Sequence, residues 1–461
     1  MNDKQAGSPL TVIIVAVVAL VVLSMLPWDD LSGHRLKSFN LLSDLVPQSD
    51  KTYITHESID PELAALTVSP ADSVSADTAG VAADNVAYVG LPDDFSAPVD
   101  AAGNVLVEDY SGHGLADLSQ RLAASSSRRV RIAVIGDSYI EGDIFTQDIR
   151  ARLQDIYGGR GVGYMAAHSN FPGFRQSVRQ QSSGWTERDM RHIGSDPVKP
   201  LSGVYYRADG PAEVTYKGSS RPAHADGWSR STVLFIAPAG GSITLDTPVG
   251  QVTHAVSASP DVQAVSCEGE TDRLTVKSDI PGLKMLGAWL ETPTGIVLDC
   301  MSMRGNSGIT HRKIDAGTAR QMRGWIDYDL IIFQYGINAL SSEQRDYSTY
   351  ASVMAGAVEH VRALYPEAVI MIMGIGDRGQ KQGTDVHSLS TAPAMVRAQR
   401  DIARRTGSLF WDTRAAMGGD DASVDWHRRK LVNADYIHLN HKGGAALAEI
   451  FVNSLQSSLH E

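Results

Sequence analysis

A serine that closes a buried strand is the first residue whose setting suggests chemistry. Val130-Arg131-Ile132-Ala133-Val134-Ile135 is a β-branched run as long as a buried strand. It ends in Gly136-Asp137-Ser138 and passes, after Gly142, into FTQDIRARLQDIYG, whose apolar residues recur at helical spacing. A side chain at such a turn sits at the carboxyl end of a parallel strand, where α/β proteins place their ligands. Ser138 is thus placed as a nucleophile, although a serine capping a helix would look the same. A second buried strand, Asp329 to Tyr335, runs into Gly336-Ile337-Asn338, and an Asn amide there could donate to a developing oxyanion. Ahead of it, Gly295 to Cys300 leads into Met303-Arg304-Gly305-Asn306-Ser307-Gly308, a turn whose glycines let a backbone N–H approach a substrate closely. Near the C-terminus, Asp435-Tyr436-Ile437-His438 precedes the amphipathic stretch AALAEIFVNSLQSSL. An Asp three residues before a His lets one turn present a carboxylate to the imidazole, fixing its tautomer and stabilising its protonated form.

In this order the segments resemble the SGNH, or GDSL-type, hydrolase family, whose four short blocks carry the Ser, Gly, Asn and His of the name. The blocks are GDSY at Ser138, RGNSG at Gly308, YGIN at Asn338 and DYIH with Asp435 and His438, and the resemblance covers residues 106–165 and 296–458. It implies a flavodoxin-like three-layer α/β/α fold with a parallel sheet, needing no cofactor. It further implies Ser138 as nucleophile, His438 as general base and acid, and Asp435 as its orienter. The oxyanion hole would comprise the N–H of Gly308, the Asn338 amide and the Ser138 N–H. Gly305 lies in the same turn, but Gly308 ranks first because a helix and then the Asn-bearing strand follow it.

Other polar residues carry weaker signals. Asp143 either caps the first helix or touches substrate. Asp377 and Arg378 follow the strand Val369 to Met373 and so face the same end of the sheet, as lining of the site or as a plain turn. His441 lacks an Asp three residues before it and reads as a surface histidine, while nothing assigns a partner to Lys442. The glycines from 158 to 163 close a helix instead of opening one, which favours a C-cap over a phosphate loop. No His, Asp or Glu cluster has metal-ligand spacing.

About 130 residues separate the first helix from the Gly308 turn, far more than an ordinary connection. Short strand-like runs punctuated by turn residues fill residues 171–294, predicting an inserted all-β sandwich. With that insertion the chain looks like the extracytoplasmic branch that includes peptidoglycan O-acetylesterases, where a carbohydrate-binding-like β domain interrupts the hydrolase. Trp185, Tyr205, Tyr206, Trp228 and Trp289 are candidate sugar-stacking faces, with core packing as the alternative.

The rest of the chain concerns delivery. Leu10 to Leu26 is an uncharged apolar run of 17 residues followed by Trp28, read as an uncleaved transmembrane anchor within residues 1–28. Lys4 before it and Asp29-Asp30 after it place the remainder outside the cytoplasm, in the periplasm or beyond an inner membrane. Residues 29–105 read as an acidic, mostly disordered spacer, with docking of Val86 to Leu91 as the alternative. Residues 106–170 and 295–461 are assigned to the hydrolase. The net charge of −12 sits in the spacer region: twelve acids and no base lie between Lys51 and Arg121, which leaves 41 acids against 41 bases elsewhere. That balance argues against a nucleic-acid partner. Cys267 and Cys300, the two cysteines, exclude a disulfide framework, though export would permit one bridge.

The resulting expectation is a serine esterase that removes O-acetyl groups from a cell-envelope polysaccharide. Its alternatives are an O-acetyltransferase of the same fold, working with a membrane-bound O-acyltransferase, and a polysaccharide-binding protein without catalysis. A lipase is disfavoured by the lack of a hydrophobic lid segment.

Overall fold

Strands that carry the motifs sort alternate side chains to two faces. In the computed structural model, which describes residues 59–67 and 96–460, six strands make the central sheet: β1 (Glu108–Asp109), β2 (Arg129–Gly136), β3 (Gly295–Ser302), β4 (Leu330–Gln334), β5 (Val369–Met373) and β6 (Leu409–Trp411). Their order is β1-β6-β5-β4-β2-β3. All neighbours run parallel except the β1–β6 pair. Val130, Ile132 and Val134 pack on one side with helices α1 (Gly114–Ala123), α2 (Thr146–Tyr157) and α5 (His441–His460), while Ala133 and Ile135 face α3 (Ser348–Leu364) and α4 (Ala392–Arg405). A strand buried on both faces needs apolar residues throughout, which is the pattern β2 shows. The expected three layers follow from this sorting.

Nine further strands between Gly161 and Glu291 are hydrogen-bonded into one sheet. It begins with Gly161–Met165, earlier than the residue 171 boundary, and that strand pairs antiparallel with Leu283–Glu291. The sheet does not stand apart as the expected separate sandwich module, because the described residues cluster as one compact unit and its core merges with that of the α/β layers. Asp299 of β3 is the polar link: it accepts the Tyr164 N–H at 2.8 Å, the Trp289 indole N–H at 2.8 Å and the Tyr328 hydroxyl at 2.9 Å. Burial raises its carboxyl pKa, with Arg131 opposing.

The spacer reading needs correction in two places. Residues 96–105 form a turn closed by a Val99–Val105 bridge. Ile59–Thr67 lies against the catalytic domain, with the short helix Pro61–Thr67 burying Leu63 at 3% exposure. The Leu10 to Leu26 run and Val86 to Leu91 lie outside the described residues, and no described helix is long and apolar enough to cross a membrane.

Candidate active site

The carboxyl ends of β2, β3 and β4 and the turn before α5 converge. Ser138, two residues beyond β2, is 7% exposed, and its Oγ lies 2.9 Å from His438 Nε2. His438 Nδ1 lies 2.8 Å from Asp435 Oδ2, while Asp435 Oδ1 accepts the N–H groups of Ile437 at 2.9 Å and His438 at 3.0 Å. Burial raises the Asp435 pKa, yet the imidazole and those two N–H groups outweigh it and hold the carboxyl below its ordinary value. The carboxylate is therefore ionised and can steady an imidazolium. Tyr436, at φ 56°, supplies the reversal that lets Asp435 and His438 face each other. Gly444 seats the turn: a Cβ there would come within 1.9 Å of the Ile144 carbonyl oxygen beside the nucleophile turn, a contact only glycine permits.

The oxyanion donors are less simply arranged. The Ser138 N–H has no acceptor among the described residues. The Asn338 amide donates to Asp137 Oδ2 at 2.9 Å and to the Asn306 carbonyl at 3.1 Å, so an oxyanion would compete with the latter. The Gly308 N–H already donates to Asn306 Oδ1 at 2.5 Å. Gly308 matters here for its backbone, at φ 94° with Met354 and Tyr335 packed where a Cβ would stand. In the same turn Gly305, at φ 73°, has no acceptor for its N–H among the described residues.

Asp137 and Asp60 are functional neighbours that sequence reasoning missed. Asp137 is 0% exposed and accepts the Tyr139 N–H at 2.9 Å as well as the Asn338 amide. Burial dominates and pushes its pKa up to about 7, against the nearby His438 and the two hydrogen bonds. Asp60 is 2% exposed; its Oδ2 accepts the Ser307 N–H at 2.8 Å and its own N–H donates to the Asn338 carbonyl at 2.9 Å. It thus clamps both oxyanion-bearing turns. The signal was present: Asp60-Pro61-Glu62 is an N-cap, a proline at the first helical position and an acid in the first turn. Glu62 then pairs with Arg312 at 3.1 Å and Lys313 at 3.0 Å beside the Gly308 turn.

The suggested substrate residues are placed differently. Asp143 is 1% exposed, bonded by Arg150 at 2.8 Å through both nitrogens, by Thr146 at 2.5 Å and by Ser177 at 2.7 Å, with Arg175 at 3.1 Å. It is a buried framework charge whose oxygens are taken up by these partners. Asp377, 2% exposed, takes Arg414 at 3.0 Å, the Ser388 hydroxyl and the Ser423 N–H, and so ties turns together. The half-buried Arg378 donates to the Leu340 carbonyl at 3.4 Å. His441 meets Gln147 at 3.3 Å, and Gly158 caps α2 at φ 75°. Trp185, Tyr205, Tyr206, Trp228 and Trp289 are all buried, between 0% and 8% exposed, which corrects their reading as sugar platforms. Cys267 and Cys300 are free thiols. Among the described residues no cluster of His, Cys, Asp and Glu could hold a metal ion.

A parallel α/β sheet bearing a relayed Ser-His-Asp set at its carboxyl edge defines a serine hydrolase. Residues 283–446 match the GDSL-like Lipase/Acylhydrolase family. A solved structure described as a peptidoglycan O-acetylesterase aligns over 77% of this chain and 99% of its own, with 24% identity and a TM-score of 0.63. A family two carbohydrate esterase from Cellvibrio japonicus covers 61% of this chain and 99% of its own at 11% identity and a TM-score of 0.26. No curated protein matches the chain. The chain thus carries a GDSL-like lipase/acylhydrolase match over its second half and shares its fold with a peptidoglycan O-acetylesterase, as a serine esterase of SGNH type would.

Proposed function

We propose that the chain removes O-acetyl groups from a cell-envelope polysaccharide, peptidoglycan first among them, through an acetyl-enzyme on Ser138. The observation that carries this reading is the relay from Ser138 through His438 to Asp435, with contacts of 2.9 and 2.8 Å. His438 Nε2 takes the Ser138 proton as Oγ attacks the acetyl carbonyl. The oxyanion is met by the Ser138 N–H, the Asn338 amide and, in the adjoining turn, the N–H of Gly305 in preference to the engaged Gly308. His438 then returns the proton to the departing sugar oxygen, and water attacks the acetyl-enzyme with His438 again as base, releasing acetate. The fold shared with a peptidoglycan O-acetylesterase over three quarters of the chain supports the choice of substrate. The apolar run Leu10 to Leu26 supports a single-pass anchor with the catalytic domain outside the cytoplasm.

Full-length protein in detergent, given 4-nitrophenyl acetate and O-acetylated envelope oligosaccharides, should release acetate from both. Ser138→Ala should lower the rate about 10⁴-fold. Mass spectrometry follows the acetyl group: Ser138-dependent appearance on an added sugar would replace the esterase with an O-acetyltransferase, the partner of a membrane-bound O-acyltransferase. Equal release by wild type and Ser138→Ala would remove both.

A further inference from the structure

Phe171 and Phe174 are 39% and 45% exposed, with ring centroids 5.4 Å apart and planes 13° from parallel. An exposed, ordered aromatic pair loses solvation free energy unless something covers it. The pair lies between the two catalytic turns. Gly142, four residues after Ser138, leaves room for Phe174, whose Cβ would stand 2.7 Å from a Cβ at that glycine. Arg304, in the Gly305–Gly308 turn, holds its guanidinium 5.7 Å from the Phe171 ring centroid and bonds Glu141 at 2.5 Å.

Beside the pair opens a cavity of about 220 Å³ whose wall includes Phe171, Tyr164, His168, Glu187, Ser302 and Arg304. Ser302 also donates to the Asp137 carbonyl at 2.8 Å, so the cavity abuts the nucleophile turn. Tyr164 is 4% exposed; its hydroxyl meets no partner in good hydrogen-bonding geometry among the described residues, with the Ser202 hydroxyl of the same wall beside it. A buried hydroxyl without a partner is costly, and one on a cavity wall points to a polar ligand. An apolar face bordered by a buried hydroxyl, a carboxylate, an imidazole and a guanidinium matches a pyranose, which carries C–H faces and a rim of hydroxyls.

We infer that this cavity is a glycan subsite: it takes the pyranose next to the acetylated one, stacking it at Phe171, which Phe174 backs, and hydrogen-bonding its hydroxyls through Tyr164 and Glu187. The inference rests on the O-acetylesterase reading and adds to it how polymer is preferred over small esters. Of the five aromatics named as candidate stacking faces, Tyr206 lines this cavity and the other four pack in the core.

The test compares kcat/KM on acetylated oligosaccharides with kcat/KM on 4-nitrophenyl acetate in the full-length protein. In the double variant Phe171→Ala, Phe174→Ala the glycan-to-small-ester ratio should fall about tenfold. Tyr164→Phe, which keeps the packed ring, should lower it about threefold. A ratio unchanged in both variants overturns the subsite. Should wild type cleave 4-nitrophenyl acetate but no acetylated glycan, the esterase reading falls and the subsite is judged by calorimetry, titrating unacetylated envelope oligosaccharides into Ser138→Ala. Binding weakened by the Phe171→Ala, Phe174→Ala pair keeps the subsite; equal binding, or none, removes it.

Discussion

Asp137 stands next to the nucleophile, and its burial makes the site sensitive to pH. A carboxyl whose folded pKa is raised keeps its proton longer than in the unfolded chain, so it lowers stability as pH rises above its ordinary 3.8 toward about 7, and by a constant amount beyond. Chemical unfolding of wild type and Asp137→Asn from pH 5 to 8 should therefore show their difference moving against wild type up to about pH 7 and then levelling. A difference that stays flat, or moves the other way, would mean that Asp137 is ionised throughout. The same carboxyl orients the Asn338 amide at 2.9 Å, so stability given up at Asp137 serves the geometry of the oxyanion donor. Ser138, Asn338, Asp435 and His438 were legible as residue types at characteristic turns. The engaged state of the Gly308 N–H was not, because an Asn306 side chain two residues away supplies its acceptor and a local hydrogen bond leaves no mark in spacing.

The strap Ile59–Thr67 changes what counts as the catalytic domain. Removing the Asp60 carboxylate leaves the buried Ser307 N–H without its acceptor, a loss of about 1–3 kcal/mol. Asp60→Ala should lower kcat about tenfold with little change in KM for 4-nitrophenyl acetate, since the clamp positions the oxyanion-bearing turns without touching substrate. Asp60→Asn, which keeps one carbonyl oxygen for the Ser307 N–H, should recover part of that loss. Equal kcat in all three proteins would reduce the strap to packing. Steady-state kinetics decides, with circular dichroism verifying the fold. The composition around this segment argues for disorder on average, and the average conceals nine residues with a cap, a proline and a buried leucine. Strands and helices of the α/β layers were more legible: Val369–Met373 has its expected bounds, and the final helix gains one turn at its start.

The nine-stranded sheet and the six-stranded sheet share one hydrophobic core, joined through the buried Asp299. A merged core should unfold as one unit, so calorimetry of the full-length protein should show a single transition for the two sheets and their helices. Two resolved transitions would restore an independent β module. Ser259–Thr271 was missed because its exposed and buried residues follow no steady alternation, whereas Val204–Gly218 alternates but is interrupted in the sequence by Asp209-Gly210-Pro211.

The sequence by itself determined which residues could do the chemistry: a serine placed as a nucleophile, a histidine with an aspartate three residues away, and an asparagine at the end of a neighbouring strand. Each is a local signal, set by a strand end or a tight turn that needs particular residues. Tertiary structure decided which hydrogen-bond donors are open, which acids are framework charges and which aromatics reach solvent. Those are properties of burial and of partners hundreds of positions apart: Asp60 meets Ser307, and Ser138 meets His438, only once the chain has folded.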